Sequence, residues 1–140
     1  MSEENKAIIA RRFFEQVWNE KNLSAIDELL AANYQDHSLP PGVPSGVEGV
    51  KQMTAIYQKA FPDTRITVED QFAEGDRVVT RWTARGTHTG EMMGIPPTDK
   101  QVAVTGIDIY RVVGGQVVEH WGEMDQMGMM QQLGVGPAPD

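Results

Sequence analysis

The sequence predicts an α+β fold, a curved antiparallel sheet closed into a cone-shaped barrel and packed against helices from the N-terminal part of the chain. Three observations carry this. Apolar residues recur at helical spacing up to about residue 61, strand-like runs take over from residue 64, and those runs are punctuated by the tight-turn signals EGD and GG. Helices first and strands afterwards is the pattern of helices covering one face of a sheet. Such a cone can enclose a pocket for a small molecule.

Residues 3–20 read as an amphipathic helix, with Ile8, Ile9, Phe13, Phe14, Val17 and Trp18 at helical spacing and Ser2 as N-cap. After a short break, Ser24 is expected to cap a second helix ending near Ala32. The stretch NYQDHSLPPGVPSGVEG reads as loop from its Pro and Gly content. A third helix, VEGVKQMTAIYQKAF, presents Val50, Met53, Ile56, Tyr57 and Phe61 before Pro62 stops it. TRITVEDQFAEGDRVVTRWTARGTHTG then holds two strand runs, and EMMGIPPTDK is a long loop. QVAVTGIDIYRVV and QVVEHWGEM form a hairpin. A short helix, DQMGMMQQLG, opens at Asp125 and closes at Gly134. The expected organisation is one domain over residues 1–134 with a frayed Pro-rich tail, 135–140.

With 140 residues the chain is long enough to bury a core without staples, and it contains no cysteine, which excludes disulfides, thiolate nucleophiles and thiolate metal sites. Its 20 acidic and 12 basic residues give a formal charge of −8, which repels a phosphate backbone and argues against nucleic-acid binding. No apolar run approaches a signal peptide's core or a membrane span, so the expectation is a soluble cytoplasmic protein with no membrane partner.

The hairpin poses the chemical question, because Asp108 sits within its first strand and His120 within its second. A buried carboxylate is costly unless paired or protonated. A two-residue loop, Gly114-Gly115, pairs Asp108 with Trp121 and turns His120 to the other face. A three-residue loop, Val113-Gly114-Gly115 with a G1 bulge, pairs Asp108 directly with His120. The second register is favoured because Gly at the last loop position marks the bulged form. Gly106, Asp108, Tyr110, His120 and Gly122 then share one face, and Asp108 with His120 becomes either a candidate acid/base unit or a self-satisfied structural pair.

A second polar cluster, Tyr34 to Ser38, lies where the chain turns after the second helix. Asp36 and His37 there are either turn-formers or groups reaching the mouth of the cone, with Asp36 the further catalytic candidate and His37 a substrate contact. The aromatic residues are core first. Phe14, Trp18, Tyr57, Trp82 and Tyr110 are the expected pocket contacts for a small apolar molecule. The histidines, His37, His88 and His120, lack metal-ligand spacing, so no metal is expected. There is no nucleophile elbow, P-loop or dinucleotide fingerprint.

The stretch GTHTGEMMGIPPTDKQVAVTGIDIYRVVGGQVVEHWGEMDQMGMMQQLG resembles the C-terminal half of SnoaL-like polyketide cyclases, through its GIPPT loop, GIDIYR and EHW strands and QQLG ending. FFEQVWNEKNLSAIDELLAANYQDHS matches the opening of the same family, so the likeness covers nearly the whole chain. The resemblance implies a nuclear transport factor 2-like (cystatin-like) cone, often dimeric, and hence a homodimer. It also implies ring closure by intramolecular aldol condensation with no metal or cofactor. A pocket carboxylate takes the proton of a carbon acid while polar groups stabilise the enolate, and the pair comes from the last long strands, where Asp108 and His120 stand. Characterised cyclases carry histidine on the earlier strand and aspartate on the later. Here the order is reversed, and Gly122 falls at the place of the aspartate. Ketosteroid isomerases and limonene-type epoxide hydrolases share the cone, and the isomerases' catalytic aspartate lies near Asp36. A protein of this fold that binds its ligand without turnover is the competing class.

Overall fold

The computed structural model describes residues 2–135, so the expected tail lies outside the described residues except for Val135. Helix α1 spans Glu3–Arg12. Its start is held by Ser2, whose Oγ accepts from the Asn5 N–H at 3.2 Å, and its dipole is matched by Glu3 and Glu4 at one end and Arg11 and Arg12 at the other. The helix continues to Asn19 as predicted, but Phe13–Asn19 is wound as a π-helix, the Glu20 N–H donating to the Glu15 carbonyl at 2.9 Å. The wider turn brings Phe13, Phe14 and Val17 to the buried side together.

Helix α2, Ala25–Leu29, ends earlier than predicted, and Ser24 does not cap it, because its hydroxyl donates instead to Asn22 Oδ1 at 2.6 Å. The chain passes straight into strand β1, Leu30–Asp36, where the last residues of that helix and the start of the loop were expected. Helix α3, Val47–Ala60, follows the predicted stretch, although Ile56 is exposed rather than on its buried face. Strands β2 (Arg65–Glu74), β3 (Arg77–Thr87), β4 (Gln101–Val113) and β5 (Gln116–Met124) form an antiparallel series. With β1 the sheet order is β1-β5-β4-β3-β2, and β1 lies parallel to β5. Helix α4, Gln126–Leu133, starts at Asp125, whose side chain accepts from the Gly128 N–H, and stops at Gly134 in the left-handed conformation. Among the described residues no helix is long and apolar enough to cross a membrane.

Two side-chain amides close strand edges. Gln132 of α4 bonds both the N–H and the carbonyl of Ala103 (2.7 and 3.0 Å), and Asn19 does the same for Ile66 of β2 (2.6 and 2.9 Å). Each amide takes the place a neighbouring strand would occupy.

The hairpin corrects the favoured register. Its loop is the two-residue Gly114-Gly115, both at positive φ (61° and 82°), as a type I′ turn requires. Val113 pairs with Gln116 and Val112 with Val117. The register then shifts, so that Arg111 pairs with Glu119, Tyr110 with His120 and Asp108 with Gly122. Val118 is the extra residue of a β-bulge. One inserted residue restores the parity that a two-residue loop would have lost. Asp108, Tyr110 and His120 therefore do face the same cavity, but Asp108 and His120 are diagonal rather than directly opposite.

Candidate active site

The inner face of the sheet, the π-helical turn and α3 enclose a cavity of about 200 Å³. Its walls are mainly apolar, and Met129 of α4 and Met124 contribute to them. The predicted contacts Phe14, Trp18, Tyr57, Trp82 and Tyr110 all line it, as do Asp36, Asp108 and His120. His37 does not. Successive side chains of a strand point to opposite faces, so with Asp36 turned inward His37 faces out. There it stacks on Trp121 (ring centroids 5.0 Å apart) and bonds Glu119 at 2.6 Å. His88 lines no part of the cavity either. It is 0% exposed, its ring lies against Phe61, and its Nδ1 accepts from the Thr98 N–H at 3.2 Å, anchoring the long loop after β3.

The polar groups form one chain of hydrogen bonds. His120 Nε2 lies 3.0 Å from Asp108 Oδ1, and His120 Nδ1 lies 2.8 Å from Asp36 Oδ2. β1 makes the second contact, because its parallel pairing sets Asp36 beside His120. Asp36 (7% exposed) is buried rather than at the mouth of the cone. Its Oδ2 also accepts from the Tyr34 hydroxyl at 2.5 Å, and its Oδ1 accepts from the Ser38 N–H at 2.8 Å and the Ser38 hydroxyl at 2.7 Å. One Asp36 oxygen thus makes an Asx-turn and the other bonds His120 at the cavity wall. On the far side, Asp108 Oδ2 accepts from Trp82 Nε1–H at 2.9 Å, with the Tyr110 hydroxyl at 3.4 Å. The Tyr110 ring stacks on His120, centroids 4.7 Å apart.

A carboxylate on each ring nitrogen requires a proton on each, so His120 is an imidazolium. Burial works against that charge, but hydrogen bonds and charge from Asp108 and Asp36 outweigh it and raise the His120 pKa to about 9. Burial would likewise push the Asp36 carboxyl up; His120, Tyr34 and Ser38 hold it down at about 2. Burial and the nearby carboxylates push the Tyr34 and Tyr110 hydroxyls above their ordinary range, so both stay protonated donors. Both nitrogens of His120 are committed to carboxylates, and among the described residues no cluster of three or more ligating side chains could hold a metal ion. Two carboxylates around one imidazolium leave the cluster a single net negative charge, held against an apolar cavity.

Tyr34 and Ser38 are the participants that sequence reasoning missed as site residues. Their signal was present in YQDHS, since a hydroxyl on each side of an aspartate can satisfy a buried carboxylate.

The model of the family described as SnoaL-like polyketide cyclase matches residues 8–133. The chain is 27% identical over 117 residues to nogalonic acid methyl ester cyclase of Streptomyces nogalater, covering 82% of this chain and 87% of that one. Among solved structures, TsrD of Streptomyces laurentii superposes with a TM-score of 0.87 at 29% identity, covering 96% of this chain and 98% of that one. IdmH of Streptomyces antibioticus, described as a candidate polyketide cyclase, does so at 0.81 and 36% identity, covering 93% and 99%.

Proposed function

The chain belongs to the SnoaL-like polyketide cyclase family, and from that premise we propose that it is a cyclase-type enzyme that closes a ring on a small apolar carbonyl compound by acid/base catalysis, without a cofactor. One observation carries the reading: an aspartate and an imidazolium, 3.0 Å apart, line a mainly apolar cavity.

Asp108 is the base. Its two oxygens each accept one short hydrogen bond, and a carboxylate has lone pairs to spare for a proton from carbon. When Asp108 takes the proton next to the substrate carbonyl, negative charge leaves the carboxylate and appears on the enolate oxygen. The His120 Nε2–H loses its anionic partner at that moment and turns to the new oxyanion. The enolate carbon then bonds the second carbonyl carbon, and the resulting alkoxide recovers a proton from the Asp108–His120 pair, so the proton count balances. Placed acid/base groups contribute roughly 10²–10⁴-fold each to such a step, and a charge preorganised in a dry site adds to that. Asp36 keeps His120 charged and takes no proton from substrate.

The test is turnover of a linear or partly cyclised polyketide ester by the wild type and by Asp108→Asn, alongside thermal shift of both proteins by the same compounds. The expected result is stabilisation of both and turnover, down at least about a hundredfold in the variant. Equal turnover would remove Asp108 as the base. Stabilisation without turnover in either protein would make the chain a binding protein.

A further inference from the structure

Asp108 is flanked on the inner face by two glycines. Gly106 precedes it by two residues on β4, and Gly122 stands directly opposite on β5. Neither has a positive φ, so backbone conformation does not demand glycine at either place. Space does. A Cβ on Gly122 would overlap Asp108 Oδ1 and stand 2.9 Å from His120 Nε2, and one on Gly106 would overlap the Trp82 ring.

The register explains why room is needed there. His120 faces Tyr110, so Asp108 reaches it along a diagonal, and diagonal neighbours lie about 7–8 Å apart at Cα against about 4.5–5.5 Å for direct pairs. The carboxylate closes that gap only by leaning over the position opposite its own. Trp82, which pairs with Gly106, lays its indole over that residue to bring Nε1 to Asp108.

We propose that Gly122 and Gly106 are positioning residues of the site: the side chains they lack leave the space in which Asp108 bonds His120 and Trp82 at once. The inference deepens the reading of Asp108 and His120 as an acid/base pair and rests on it for its catalytic meaning. The three heavy atoms nearest to a Gly122 Cβ all lie at the far ends of side chains, those of Asp108 and His120, not in backbone. Gly122→Ala therefore leaves the fold in place and swings the carboxylate away from the imidazole.

The experiment is NMR titration of the His120 imidazole in the wild type, Gly122→Ala, Asp108→Asn and the double variant. The Gly122→Ala midpoint is expected to fall by about one pH unit or more, as it does on losing a charged partner. The double variant is expected to titrate like Asp108→Asn alone, because the methyl group acts only through that carboxylate. In a separate arm, Gly106→Ala is expected to move the Trp82 indole proton to the resonance of an unbonded indole. An unmoved midpoint in Gly122→Ala, or effects that add in the double variant, overturns the proposal. So does unfolding of both alanine variants, which would assign the glycines to the fold. The functional reading fails differently, through an Asp108→Asn variant that still turns over substrate, whatever the titrations give.

Discussion

His120 is held by what surrounds it on both sides, and this sets a pH dependence with a definite sign. Its folded pKa of about 9 lies above the ordinary value of 6.5, so its contribution to stability is complete below pH 6.5 and is lost as pH rises through about 9. The contribution is about 3 kcal/mol. Asp36 works the other way: its folded pKa of about 2 lies below the ordinary 3.8, so its contribution holds above that value and disappears as pH falls through about 2. Denaturant unfolding across pH is expected to show both losses, and His120→Gln is expected to flatten the alkaline one. Asp36→Asn is the sharper variant. It removes one partner of a buried ion pair, a change that costs about 3–5 kcal/mol, and it lowers the His120 midpoint while leaving Asp108 bonded to Nε2. Chemical denaturation and imidazole titration of that one variant check the two effects separately.

Among the elements, β1 and the bulge in β5 build the site, and each is one step beyond what periodicity encodes. LAANYQD alternates apolar and polar residues only over Ala32–Gln35, too short a run to mark a strand, and its partner β5 lies more than eighty positions away in sequence. A parallel edge strand of that kind has no local signature. The bulge that absorbs Val118 decides which face His120 occupies. Deleting Val118 removes the unpaired residue and leaves Val112 opposite Val117, Arg111 opposite Glu119 and Tyr110 opposite His120, so His120 keeps its inward face on a regular ladder. Its titration midpoint is then expected to stay raised, with Asp36 and Asp108 still bonded to it, and NMR titration of that deletion variant checks this. The extra residue lies in the strand, at Val118, and not in the loop where Gly115 suggests it. His120 is still on the expected face, because an extra residue in either position changes parity by one.

For the whole molecule, the cavity is part of the core. Phe14 and Tyr110 belong to the same buried cluster as Val17, Val78 and Val112, and they also line the empty space. The Phe14 ring meets Tyr110 edge-on at 5.9 Å, and Tyr110 in turn stacks on His120 at 4.7 Å, so the core and the site share one aromatic wall. Phe14→Ala is expected to destabilise the protein by about 3–5 kcal/mol and to enlarge the cavity. Thermal melts check the first effect, and stabilisation by bulkier ligands than the wild type accepts checks the second.

The amino-acid sequence by itself determined the α+β class, the helices α1 and α3, the four antiparallel strands, and the residues able to do chemistry. Each of these is written in local periodicity, turn residues or side-chain type, which a chain carries whatever it later touches. Only the tertiary structure decided that Asp36 flanks His120, that Asp108 reaches it on a diagonal over Gly122, and that His37 stands outside. Those facts depend on which strands meet and in what register, and register comes from the packing of distant segments, to which no short stretch of sequence is tied.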